Sequence, residues 1–243
     1  MSKFFYFKLA ITNIKKNAKT YIPYMITSIM TICMFYIICS LSNNPDLSKV
    51  SGTDSMVTVL FLGTIICGIF ATIFLFYTNS FLMKRRKKEF GLYNILGMEK
   101  KHISRVVLCE TVIISLVSLI FGILVGILFD KLMLLILLSM FTVKVPLGFY
   151  ISPQSLKTTI ILFVVIFVVI FLNSIRQIHL AKPIELLHGS SVGEKEPKAK
   201  WLMALIGFVC LGIGYYLAIT TESPISAISI FLLAVILVMA GTY

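Results

Sequence analysis

The chain has 243 residues, of which 58% are hydrophobic and 13% charged, with a mean hydropathy of +0.99 and a formal charge of +12. That leaves too little polar surface to cover a soluble particle, so the composition excludes a soluble globular domain and predicts an integral membrane protein. The positive balance suits anionic lipid head groups better than nucleic acid, because no recognition motif or interleaved exposed aromatic pattern accompanies it.

In chain order, residues 1–20 mix Phe4, Phe7, Leu9, Ala10, Ile11 and Ile14 with Lys8, Lys15 and Lys16, the pattern of a helix lying in the membrane interface. The segment is too long for a signal-peptide leader and no small-residue cleavage site follows, so it is read as retained. Six continuous apolar stretches then come at roughly 21–41, 56–82, 106–129, 156–175, 201–219 and 225–242, each near the roughly 20 residues a spanning helix needs. Their continuity, without period-two alternation, predicts helices and not a barrel. The expected fold is therefore all-α: a polytopic membrane protein of about six transmembrane helices.

Lys and Arg alternate strictly between connections. They crowd the N-terminal arm, the segment after the second stretch and the segment after the fourth, whereas the intervening loops hold few. The positive-inside rule then predicts a multi-pass plasma-membrane protein with a cytoplasmic N-terminus. A turn-rich loop at 42–55 joins the first two spans. In the third, Asp130 and Lys131 interrupt an otherwise apolar run to Phe141 and are expected to mark the outer interface. Gly122 and Gly126 form a GxxxG in that span, a spacing that admits another backbone closely and is expected to serve packing within this chain. After the fourth span, Pro183 suits a first helical position, Ile184, Leu186 and Leu187 give an apolar side, and Gly189 ends the element. The organisation expected is an arm, first span and outer loop at 1–55, a three-span domain at 56–188, a charged linker at 189–200, and two further spans at 201–243. The last span ends at Tyr243 without a basic stop, which predicts that the natural chain continues.

The five cysteines, Cys33, Cys39, Cys67, Cys109 and Cys210, fall in or beside apolar spans and form no metal or disulfide pattern. His102, His179 and His188 are isolated, with no HExxH or CxxC site, and there is no GxxxxGK[ST] phosphate loop. No catalytic residue, metal site or cofactor is expected, and nucleotide energy must come from another chain.

The most informative stretch is KRRKKEFGLYNILGMEKKHISR, from Lys84 to Arg105. Phe90, Tyr93 and Leu96 recur at helical spacing beside Leu92 and Ile95, Gly97 stops the helix, and Glu99 begins the next. Lys84, Arg85, Arg86, Lys87 and Lys88 alone would be ordinary positive-inside residues. Joined to a short apolar helix, a Gly stop and a second basic cluster, they predict a tight cytoplasmic elbow that contacts lipid phosphates or an acidic partner surface. Two readings of Glu110, the one carboxylate in the inner part of a span, stand side by side. It forms a charge link to Arg105 or Lys101, or it lies hydrated at head-group depth.

The order Glu89, Gly91, Leu92, Ile95, Leu96, Gly97, Met98 and Ile103, followed by Glu110 and the Gly122 and Gly126 pair, resembles the FtsX-like permease domain of ABC transporters over roughly Val57 to Leu187. Within that family it is most similar to the bacitracin and lantibiotic resistance permeases of Gram-positive bacteria. The resemblance implies a coupling helix docking on a separate cytoplasmic ABC ATPase dimer that uses ATP and Mg, with Glu89, Phe90, Gly91, Leu92, Tyr93, Ile95, Leu96 and Gly97 as its residues. It further implies a role with antimicrobial peptides, and a membrane histidine kinase as a second partner. A signalling or scaffold protein that regulates a cell-wall enzyme or sensor kinase without moving cargo is the alternative function. An ion-coupled transporter would need ionisable groups at the bilayer midplane, and none is evident.

Overall fold

A computed structural model of the chain describes residues 3–45, 54–140, 151–180 and 201–220, and the described residues are almost entirely helical. The chain divides into two compact units, Met1–Ser191 and Val192–Tyr243. The first holds α1 (Lys3–Lys16), α2 (Ala18–Ser42), α3 (Asp54–Ile95), α4 (Lys100–Met140) and α5 (Pro153–Leu180). The second holds α6 (Trp201–Thr220), which coincides with the fifth expected span. The element at Pro183, the linker at 189–200 and the sixth span at 225–242 lie outside the described residues. Among the described residues, four helices, α2 to α5, are long and apolar enough to cross a membrane, which makes this a multi-pass membrane protein.

α3 and α4 have 42 and 41 residues, so each is about 60 Å long, twice the roughly 30 Å hydrocarbon layer. The excess of α3 carries the basic run. That of α4 carries Asp130 to Met140, where Leu134 and Leu138 pack on Leu41 of α2 with Met56, Val57 and Leu60 of α3. α3 does not stop after its span: it continues unbroken to Ile95, so the expected coupling helix is the terminal part of a long helix and not a separate one. No helix-breaking residue separates Met83 from Glu89, and the only glycine near, Gly91, is packed against the fold.

The sequence sets α2 apart from the three-span domain, yet the structure puts it at the centre. In its most apolar window 44% of residues are buried, against 17 to 33% in α3, α4 and α5. Ile32, Phe35 and Cys39 of α2 join Ala71 and Leu75 of α3 and Phe163, Ile166, Phe167 and Ile170 of α5 in the main core. Lipid tails are as apolar as these side chains, so association rests on close contact and buried hydrogen bonds more than on the hydrophobic effect. Asn79 Nδ2 of α3 donates to Ser174 Oγ of α5 at 2.9 Å inside the bundle. Ser152 caps α5, its hydroxyl accepting from the Ser155 backbone N–H at 3.3 Å, with Pro153 in the first helical position.

The closest helix contact is between α2 and α4, which run parallel with a fixed register. Ile32 meets Gly122, Tyr36 meets Gly126, and Ser40 Oγ donates to Asp130 Oδ2 at 2.9 Å, each pair 90 residues apart. Tyr24 and Ile114, with the same offset, share an apolar cluster. On α4 the strip is Glu110, Ile114, Ser118, Gly122, Gly126 and Asp130, a strict four-residue spacing that places one ridge of the helix against α2. Asp130, expected at the outer interface, is 5% exposed and faces α2. Its Oδ1 has no partner among the described residues.

A Cβ on Gly122 would stand 2.8 Å from Ile32 Cβ and 3.1 Å from the Ile29 carbonyl, while one on Gly63 would meet only Ile38 Cγ2, at an ordinary 3.6 Å. Ile32 is β-branched and Ile29 contributes backbone, so neither can turn aside. Gly122→Ala is expected to cost about 1–3 kcal/mol of stability, seen as a lowered thermal midpoint in detergent, with Gly63→Ala close to wild type.

Candidate functional site

The elbow begins with how α3 ends. Gly97 adopts φ +88, the Met98 N–H bonds the Tyr93 carbonyl at 2.9 Å and the Gly97 N–H bonds the Asn94 carbonyl at 3.1 Å. This is a Schellman cap, in which a glycine supplies the left-handed residue and the side chains of Met98 and Tyr93 pack together on the same cluster. Glu99 then opens α4, its carbonyl accepting from the N–H groups of His102 at 2.9 Å and Ile103 at 3.3 Å. Two long helices are thus reversed within four residues, Leu96 to Glu99.

The turn leaves Leu92, Ile95 and Leu96 52, 58 and 72% exposed. Phe90, expected beside them as a contact, is instead 6% exposed and packs with Met83, Ile103, Val107 and Ile178. Successive helical positions 100° apart cannot all face outward, and Phe90 takes the inward stripe with Met83. Gly91 is buried with it, Tyr93 is half-buried and Gly97 is exposed.

The basic run divides in the same way. Lys84 and Arg85 are exposed, with Arg85 lying 4.6 Å over the Phe81 ring, and the side chains of Lys87 and Lys88 lie outside the described part of the structure. Arg86, expected to touch lipid or a partner, is 2% exposed. Its Nη1 donates to Glu110 Oε2, its Nη2 to Glu110 Oε1 at 3.0 Å and its Nε to Glu89 Oε2 at 3.2 Å. Its Cζ lies over the Phe90 ring at 4.8 Å and over the Tyr21 ring at 5.2 Å, contacts that favour a guanidinium over an ammonium.

Glu110 is likewise 2% exposed, so the hydrated reading does not hold, and the charge link to the elbow forms with a cation other than the two expected. Arg105 and Lys101, five and nine residues earlier, project about 140° and 180° around the helix from it, and the cation comes from α3 instead. Three helices complete the site. Asn13 Nδ2 of α1 donates to Glu110 Oε1 at 3.0 Å, and Tyr21 of α2 donates to Oε2 at 2.9 Å. Asn17, in the turn between α1 and α2, donates to Glu89 Oε1 at 2.7 Å, and Tyr93 to Asn13 Oδ1 at 3.3 Å. Tyr6 of α1 adds a hydrogen bond and ring stacking to His102. Sequence reasoning found Glu89, Arg86 and Glu110 but missed Asn13, Asn17 and Tyr21. The missed signal was polar residues on the one face of the arm that also carries Tyr6 and Ala10, both buried.

Among the described residues no cluster of three His, Cys, Asp or Glu could hold a metal. The arrangement offers a rigid support beneath three exposed aliphatic side chains. A buried ion pair resists loss of one partner more than loss of both. Arg86→Ala is expected to destabilise the protein by about 3–5 kcal/mol, and Arg86→Met combined with Glu110→Met to recover a large part of that loss, as read from thermal unfolding of the purified membrane protein.

Comparison with known proteins gives the arrangement its place. The FtsX-like permease C-terminal family model matches residues 59–180, which takes in most of α3, the elbow, α4 and α5. The uncharacterized ABC transporter permease YvcS of Bacillus subtilis (strain 168) is 32% identical over 242 residues, covering 97% of this chain and 36% of the relative. The bacitracin export permease BceB of the same organism is 28% identical over 87% of this chain and 33% of its own length. BceB of Halalkalibacterium halodurans is 25% identical over 97% of this chain and 38% of its own length. The chain thus spans about a third of the length of the curated relatives it matches. With half of its residues, and the whole elbow, inside the family match, the chain belongs to the FtsX-like permease family.

Proposed function

We propose that the chain is the membrane part of an ABC transporter, and that the elbow is the surface on which a separate cytoplasmic ATPase docks. The observation that carries this reading is the Leu92, Ile95 and Leu96 patch. Three large aliphatic side chains stand exposed at the tip of a reversal beyond the spans, on a base whose polar groups are bound internally. A few such anchors on a rigid support carry most of the free energy of a typical interface. Lys84 and Arg85 flank them as exposed cations that orient an acidic partner or lipid head groups and set the association rate more than the affinity. In this reading the elbow and the N-terminal arm are cytoplasmic, in accord with the basic residues on both, and ATP and Mg belong to the partner.

Two relatives are named for bacitracin export, which favours antimicrobial peptides, or the lipids such peptides seize, as what the transporter acts on. The membrane part contributes no bond-breaking chemistry. It receives displacement at the elbow and passes it to the far end of the bundle.

Substituting the exposed anchors is the direct test. Leu92→Glu with Leu96→Glu is expected to weaken co-purification with the ATPase by about 2 kcal/mol or more, roughly thirtyfold, while the thermal midpoint stays at the wild-type value. An unchanged complex would remove the docking reading. Phe90 is unsuitable for this test, because a polar residue there disrupts the core beneath the elbow.

A further inference from the structure

The elbow joins α3 to α4, so the simplest lever would be that pair, yet α3 and α4 touch along little of their lengths whereas α2 and α4 touch along most of theirs. We infer that α2 and α4 move as one body, and that Asn13 and Tyr21 are the positioning residues that tie this body to the elbow through Glu110. The inference rests on the docking reading for the source of the motion, but its structural content does not.

Both carboxylate oxygens of Glu110 are occupied from three neighbouring elements: Arg86 of α3 on both, Asn13 of α1 on Oε1 and Tyr21 of α2 on Oε2. A displacement of the end of α3 therefore reaches α4 and α2 through one buried group, beside the apolar contact of Met83 and Phe90 with Ile178 of α5. Above this node the pair is held at two further levels, by the glycine contacts of Ile32 and Tyr36 and by the Ser40 bond to Asp130. Contacts below 3 Å to an added Cβ leave no slack for sliding or rotation. α5 touches the pair along less of its length, through side chains of the main core, through Ser155 bonded to Cys39 and Asn43 at one end, and through Lys100 bonded to the His179 carbonyl at the other. The seam that opens when the elbow moves is therefore between the α2–α4 pair and α5. Tyr21 serves as more than packing here, since among the described residues its hydroxyl makes the α2 bond to the node while its ring lies against Arg86.

Spin labels at exposed Met34 of α2, Leu128 of α4 and Val168 of α5, in a cysteine-free background reconstituted in nanodiscs with the ATPase, test this directly. The Met34–Leu128 distance is expected to stay the same when ATP is trapped, and the Met34–Val168 distance to change by several ångström. Tyr21→Phe is expected to leave ATPase binding intact while cutting the Met34–Val168 change to about half or less, the behaviour of a two-state switch losing one tie. Equal changes in both distances, no change in either, or a full-sized change in Tyr21→Phe would each overturn the inference. Should the ATPase fail to bind the unsubstituted protein, the docking reading fails by itself. The permease alone then decides: Glu110→Gln with Ser40→Ala is expected to broaden the Met34–Leu128 distribution, and an unaltered width would overturn the inference.

Discussion

A single carboxylate, Glu110, fixes how the basic end of this bundle is assembled. Leaving it buried and unpaired would cost several kcal/mol, and the fold answers it with a guanidinium from α3, an amide from α1 and a phenol from α2. Each of those groups comes from a different element, so the charge can be satisfied only when all of them are in place. Pairing one ion with dispersed donors makes the basic end a cooperative unit, and it explains why an exposed-looking cation in a run of five is in fact interior.

The same logic runs along the α2–α4 seam with weaker interactions. In lipid, helices gain little by hiding apolar surface from one another, so approach distance and buried hydrogen bonds decide which pairs form. Glycines on α4 let α2 come close, and polar bonds close the two ends at Tyr21 with Glu110 and at Ser40 with Asp130. The helix that reads as a lone first span thereby becomes the centre of the unit, and its neighbour in the chain, α3, packs around it instead of on α4.

Much of this was legible in residues taken one at a time. The apolar runs foretold α2 to α5, Gly97 foretold the turn, and the spacing from Glu89 to Ile103 pointed to the family. What was not legible lay between helices. The run from Lys84 to Lys88 gives no sign that its third member turns inward, because helix phase within a charged run depends on what the far side of the helix meets. The partner of Glu110 was sought on its own helix, where local spacing can be read, and lay 24 residues away on another. Likewise GxxxG announced close packing, but only the longer four-residue series from Glu110 to Asp130 shows that the contact extends along the whole seam.

The fixed register between α2 and α4 also sets where the chain can tolerate changes in length. Adding or removing one residue between Glu110 and Asp130 would rotate everything beyond it by about 100°, carrying the glycines away from Ile32 and Tyr36 and leaving the far-end carboxylate facing lipid. A residue gained in the connection between α2 and α3 would disturb no such phase. Indels among homologues should therefore collect in that connection, while the distance from the node to the far-end acid stays constant to the residue.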